Sequence, residues 1–183
     1  MSPAAVTTEV ERLRTLEADD LEDLCEATVA AIEDGGGFGW VKAPARHVLE
    51  AYWNGVLLVP ERSLFVARLN GTICGSVQLV APPKNNEAQA FAAQLTGNFL
   101  APWSRGHGLA RRLIEAVEDA ARVAGFAVLN LDVRATQEAA IGLYETMGFQ
   151  RWGTHPAYAR VEGKVIPGYF YSKRLGGRSK GRA

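Results

Sequence analysis

Residues suited to burial recur at helical spacing from Asp19 to Ile32, at Leu21, Leu24, Cys25, Thr28, Val29 and Ile32. That period predicts an amphipathic helix. Asp19 or Asp20 is expected to cap its start, with acids in the first turn suiting the helix dipole. Residues 5–13 ahead of it read as a first strand, and "DGGGFGW" at 34–40 ends it in a glycine-rich loop. A second helix is expected at about Pro44–Asn54. "SLFVARLNGTICGSVQLV" at 63–80 places two β-rich runs around Asn70-Gly71, the pair favoured in a type I′ turn. "PPKNNEAQ" reads as a loop, and 90–101 alternate weakly, as in a strand. The next helix runs to about Ala124, with an expected buried stripe of Leu109, Leu113, Ala116, Val117, Ala120 and Ala124 and a C-cap at Gly125. "AVLNLDV" at 127–133 is a strand. Thr136 is expected to cap a short helix through Met147, which Gly148 ends. Strands near 149–161 and 164–175 follow, turning at "VEGKV". Strand, two helices, hairpin, strand, helix, strand, helix and two strands make an α+β fold with a mixed sheet.

The length, 183 residues, suits one domain over 1–175, followed by a basic tail at 176–183. Lys+Arg and Asp+Glu both number 20, a balance that argues against a protein built to coat nucleic acid. Half of the acids lie between Glu9 and Asp34, an excess that could attract a cationic amine. Cys25 and Cys74 stand far apart in apolar surroundings and read as buried free thiols. His47, His107 and His155 are dispersed, so no metal site is expected. The N-terminus lacks the features of a signal peptide, and no apolar run approaches the roughly 20 residues that span a bilayer. The expected location is cytoplasmic, with no membrane and no nucleic-acid partner.

The chemistry centres on "APWSRGHGLARRL" at 101–113. Gly106 and Gly108 flank His107 at the mouth of a helix, just after Arg105. A helix start exposes backbone N–H groups and a partial positive charge, and glycine lets a bulky anion approach the backbone. Arg105 adds a guanidinium suited to phosphate oxygens. The Walker pattern is absent, and the dinucleotide pattern G-x-G-x-x-G fails at its third position, Arg111. A tight turn that binds nothing remains an alternative on this stretch alone.

Downstream, "LDVRATQEAAIGLYETMGF" at 131–149 supplies a second signature. Together the two stretches resemble the GNAT superfamily of N-acetyltransferases. Its acetyl-coenzyme A motif asks for Gln or Arg, then Gly three positions on and Gly or Ala two further, met here by Arg105, Gly108 and Ala110. Its second signature appears as Gln137, Ala140, Leu143-Tyr144-Glu145 and Gly148-Phe149, with Gln137 departing from the usual Asn. The tail "GTHPAYARVEGKVIPGYFYSKRL" and the 35–40 loop further resemble the subgroup of the tabtoxin resistance acetyltransferase.

The resemblance implies a mostly antiparallel central sheet of six or seven strands, flanked by about four helices and splayed between its fourth and fifth strands. It implies acetyl-coenzyme A as cofactor. The pyrophosphate would rest on Arg105, Gly106, His107, Gly108, Leu109, Ala110 and Arg111, and pantetheine beside Asn98, Phe99 and Leu100, whose strand it would extend. The Leu100 N–H could polarise the thioester carbonyl. Tyr144 is the candidate general acid, with core packing as its alternative, and Gln137 and Ala140 are candidate cofactor contacts. An alkyl amine has a pKa of about 10.4 and needs a base or a water relay. No Asp or Glu occurs between Ala88 and Ile114, so Asp132 is the candidate base, or else a paired structural carboxylate. Glu33, Asp34, His155 and Tyr158 are weaker candidates, and Gln94 or Thr96 could position water. His107 reads as a solvent-facing residue lending its backbone N–H. Trp40, Tyr158 and Tyr169 are the candidate acceptor contacts, with Tyr52 and Trp53 as further aromatics. The acceptor is expected to be a small-molecule amine. A protein N-terminus or lysine, and a non-catalytic acyl-coenzyme A sensor, are the alternatives. A homodimer stays open.

Overall fold

A computed structural model describes residues 5–36 and 39–176. Gly37 and Phe38 of the glycine-rich loop, and 177–183 of the basic tail, lie outside the described residues. The chain order is β1 (Thr8–Leu13), α1 (Ala18–Glu33), α2 (Arg46–Leu58), β2 (Arg62–Leu69), β3 (Thr72–Val80), β4 (Ala92–Leu100), α3 (Leu109–Val123), β5 (Val128–Arg134), α4 (Glu138–Thr146), β6 (Gln150–Val161) and β7 (Lys164–Arg174). Short 3-10 turns at Glu87–Gln89 and Pro102–Ser104 flank β4. The strands form one mixed sheet in the order β1-β2-β3-β4-β5-β7-β6, so the expected α+β architecture is present. β4 and β5 pair in parallel only from Ala92 to Gln94, opposite Val128 to Asn130. β4 continues to Leu100 without that ladder, which is the expected splay.

Contact density divides the chain into two compact units, residues 1–78 with 97–116, and 79–96 with 117–183. In the first, α1 and α2 cover a core of Leu24, Leu49, Trp53, Leu64, Val66 and Phe99. Burying each such aliphatic side chain contributes about 1.5–3 kcal/mol. Trp53 is fully buried and donates its indole N–H to Thr28 Oγ1 at 3.2 Å, while that hydroxyl donates to the Leu24 carbonyl at 2.6 Å. Cys25 and Cys74 are buried free thiols, and burial pushes both upward in pKa. Asn70 and Gly71 take φ of +52° and +87°, the paired left-handed residues of a type I′ turn.

In the second unit, β7 pairs antiparallel with β5 on one side and β6 on the other. Glu118 of α3 is buried and accepts hydrogen bonds from Lys173 at 2.5 Å and Arg122 at 2.9 Å. Glu162 and Gly163 make the β6–β7 turn with φ of +49° and +77°.

Several local expectations are corrected. α1 is capped by Glu17 without a side-chain cap bond. Asp20 instead pairs with Arg68 at 2.8 Å and Asp23 accepts the Ile73 N–H at 2.9 Å, so these acids serve β2 and β3 rather than the helix end. α2 begins at Arg46, leaving Pro44 outside, and continues to Leu58 because Val56 still buries against the core. Thr136 does not cap α4; Gln137 stands at the N-cap, again without a side-chain cap bond. In α3 the buried apolar positions are Leu109, Leu113, Ile114, Val117 and Ala121. Ala124 lies past the helix end and is exposed.

Candidate active site

The Arg105–Gly108 loop follows a 3-10 turn at Pro102–Ser104. Ser104 is fully buried and its hydroxyl donates to the Ala101 carbonyl at 2.8 Å. His107 Nδ1 lies 3.2 Å from the Ser104 carbonyl oxygen, and the residue is exposed. Gly106 and Gly108 take φ of +86° and +73°, a left-handed conformation that costs an L side chain about 1–2 kcal/mol. Among the described residues, apart from the glycine and its two chain neighbours, no atom lies within 4 Å of where either Cβ would stand. Backbone conformation therefore selects glycine here, and the space beside both α-carbons is open. Leu109, almost fully buried, anchors the start of α3, and the Arg112 N–H closes on the Gly108 carbonyl at 3.2 Å. Arg105 donates to Asp34 at 2.6 Å in an exposed ion pair, an interaction worth only about 0–1 kcal/mol. An arriving phosphate could compete for it. Ala110 is half-buried and Arg111 exposed.

Behind the loop, the end of β4 is bent. Gly97 takes φ of +59° within the strand. Phe99 turns its side chain into the core, 6.2 Å from the Trp53 ring, so only its backbone is offered outward. Asn98 and Leu100 are half-buried. A Cβ on Gly75 would overlap the Phe99 carbonyl and Leu100, so β3 and β4 pack tightly beside this segment. Trp40 is half-buried and meets the Tyr52 ring edge-on at 5.1 Å.

In the second unit, Asp132 of β5 and Tyr158 of β6 meet: the phenol donates to Asp132 Oδ2. Three features hold that ring. A register shift between His155 and Ala159 frees Tyr158 from regular pairing. Gly168 lies directly beneath the ring, where any Cβ would overlap it. Phe170 meets it edge-on at 6.0 Å. Burial, then the neighbouring Asp132, push the phenol above its ordinary pKa, so it remains a donor across the neutral range. Tyr169 turns to the opposite face of β7 from Gly168 and Phe170, with the Arg151 guanidinium 4.4 Å over its ring. The two expected acceptor tyrosines therefore do not form one wall. His155 Nδ1 accepts the Ala157 N–H at 3.1 Å.

Tyr144 is 4% exposed, edge-on to Phe149 at 5.8 Å and 6.5 Å from Tyr171. Tyr171 donates to Glu145 at 2.8 Å, and burial, then Glu145, push its pKa up to about 12. Gln137 and Ala140 are half-buried at the start of α4.

One polar cluster escaped the sequence reading. Gln78 is fully buried in β3, accepts from Arg62 at 2.6 Å and donates to the Tyr52 hydroxyl at 3.1 Å. The only signal for it was a Gln inside the apolar run "GSVQLV".

Residues 18–149 match the family model described as the acetyltransferase (GNAT) family. The chain belongs to the GNAT acetyltransferase family. An uncharacterised N-acetyltransferase from the hisH–hisA intergenic region of Azospirillum brasilense is 65% identical over 128 residues, 70% of this chain and 76% of that protein. The fold is shared with an N-acetyltransferase from Staphylococcus aureus Mu50, at TM-score 0.79 and 18% identity, covering 93% of this chain and 99% of the other. It is also shared with yncA, a Salmonella typhimurium acetyltransferase solved with its cofactor acetyl-CoA, at TM-score 0.76 and 17% identity, covering 97% and 99%. This GNAT chain is therefore an enzyme of the acyltransferase class, and acetyl-coenzyme A is the family's acetyl donor. Among its described residues, no helix is long and apolar enough to cross a membrane.

Proposed function

We propose that this acetyltransferase acts, as one domain over 1–175, on the primary amine of a small molecule by direct attack. The observation that carries the cofactor half is the pair of left-handed glycines opening α3, with free space beside both α-carbons. Such a turn fits a pyrophosphate, with backbone N–H groups between Gly106 and Arg111 as donors and Arg105 as counter-charge. The splayed end of β4 fits an extended pantetheine arm along Asn98–Ala101. Acetyl-coenzyme A supplies an activated acetyl group when bound.

The remaining roles belong to this chain's residues. The Leu100 N–H donates to a carbonyl oxygen as it gains charge. Tyr144 gives its phenolic proton to the departing sulfur, with Gln137 and Ala140 beside the cofactor. Asp132, held by Tyr158, takes the proton that the amine must lose. Trp40 and Tyr158 contact the acceptor, whereas Tyr169, turned to the opposite face of β7, does not. The new bond joins amine nitrogen to acetyl carbon, the carbon–sulfur bond breaks, and one proton leaves nitrogen as one reaches sulfur. The resemblance of the last strands to the tabtoxin-resistance subgroup supports a small acceptor.

The test is a thiol-release screen with acetyl-coenzyme A against amino acids, polyamines, aminoglycosides and peptides. Turnover with a free small amine supports the reading. Turnover confined to peptides makes the enzyme a protein acetyltransferase, and cofactor binding without turnover makes it a sensor.

A further inference from the structure

Arg62 differs from the arginines that meet carboxylates; like the exposed Arg112, which donates to Thr8, it has a neutral partner. Arg68 meets Glu11 and Asp20, Arg46 meets Glu50, Arg105 meets Asp34, and Arg122 meets Glu118 and Asp119. Arg62 is half-buried, yet among the described residues no carboxylate lies within 4 Å of it. Its partner is the neutral amide of Gln78, at 2.6 Å. A guanidinium only donates, so the amide must turn its oxygen to Arg62 and its NH₂ to Tyr52. The Tyr52 oxygen accepts that bond, which leaves the phenolic proton free to donate. The amide thus holds a cation and a hydroxyl donor in place and neutralises neither.

The position is informative. A Cβ on Gly97 would stand 3.1 Å from Gln78 Nε2, so the amide lies against the left-handed residue of β4. With phosphates at residues 106–111 and pantetheine along 98–101, the acetyl end falls toward Gly97. Resting on that reading, we propose that Arg62 and Tyr52, oriented by Gln78, form an anion subsite for the acceptor, whose substrate class is amines that carry a carboxylate. The guanidinium takes the carboxylate and the Tyr52 hydroxyl adds a donor.

The test compares matched amines with acetyl-coenzyme A: phenylalanine with phenethylamine, and methionine with 3-(methylthio)propylamine. For the wild type, kcat/KM is higher for the carboxylate-bearing member of at least one pair. Arg62→Met lowers that ratio about 10- to 100-fold, through KM. Gln78→Glu, close in shape, supplies an internal carboxylate to Arg62 and lowers the ratio likewise while the arginine remains. A wild-type preference for the decarboxylated member in both pairs overturns the inference, as does a ratio that neither variant changes. Equilibrium dialysis of the same four compounds against coenzyme A-loaded protein separates this result from failure of the catalytic reading. Without thiol release from any amine, small-molecule transfer fails. Tighter wild-type retention of a carboxylate member, lost in Gln78→Glu, still supports the subsite, and equal retention overturns it.

Discussion

At Gly108 the backbone stands at φ +73°, so a β-branched replacement strains the turn before any ligand arrives. Gly108→Val is expected to weaken coenzyme A binding by at least about tenfold, measured by titration calorimetry. His107→Ala should change it little, since among the described residues the exposed ring hydrogen-bonds only with the Ser104 carbonyl. Tyr144 poses a different question, because its ring is packed against Phe149 as a core residue would be. Tyr144→Phe keeps that ring and removes only the hydroxyl. Turnover should fall by about 10²-fold with cofactor affinity retained; unchanged single-turnover rates would leave Tyr144 a packing residue.

Among the elements, α3 carries a buried charge where an apolar stripe alone was expected. Glu118→Gln leaves Lys173 short of its anion, and unfolding in urea should reveal a loss on the order of 2–3 kcal/mol. That is below the usual cost of breaking a buried pair, because Lys173 and Arg122 both reach solvent. β6 and β7 cooperate in another way: the register shift on one and Gly168 on the other seat Tyr158 against Asp132. Gly168→Ala should displace the ring and raise KM for the amine several-fold, leaving cofactor affinity intact. Periodicity and turn chemistry made the elements themselves legible, and Asn70-Gly71 even gave the turn type. The caps of α1 and α4 were not legible. Asp19, Asp20 and Thr136 suit a cap by residue type, but Asp20 is claimed by Arg68, a partner distant in sequence.

For the whole molecule, the buried phenols set an alkaline limit. Tyr171 has an ordinary pKa near 10 that the fold raises to about 12. The folded state thus holds the proton more tightly than the unfolded chain. Its stabilising contribution is complete below pH 10 and is lost as pH rises toward 12. Urea midpoints should therefore decline over that window, and Tyr171→Phe should flatten part of the decline. At this scale the two signatures behind the proposed cofactor side were legible because they are contiguous stretches at α3 and α4. The proposed acceptor side was less legible because it depends on long-range pairs. Asp132 with Tyr158, and Gln78 with Arg62 and Tyr52, are each separated by many residues and joined only by folding. The Gln78 amide also has a genetic consequence. Codons for glutamine and glutamate differ only in their first base. The proposed preference, which rests on a neutral amide beneath a guanidinium, is therefore one transversion away from weakening, within a nearly unchanged core.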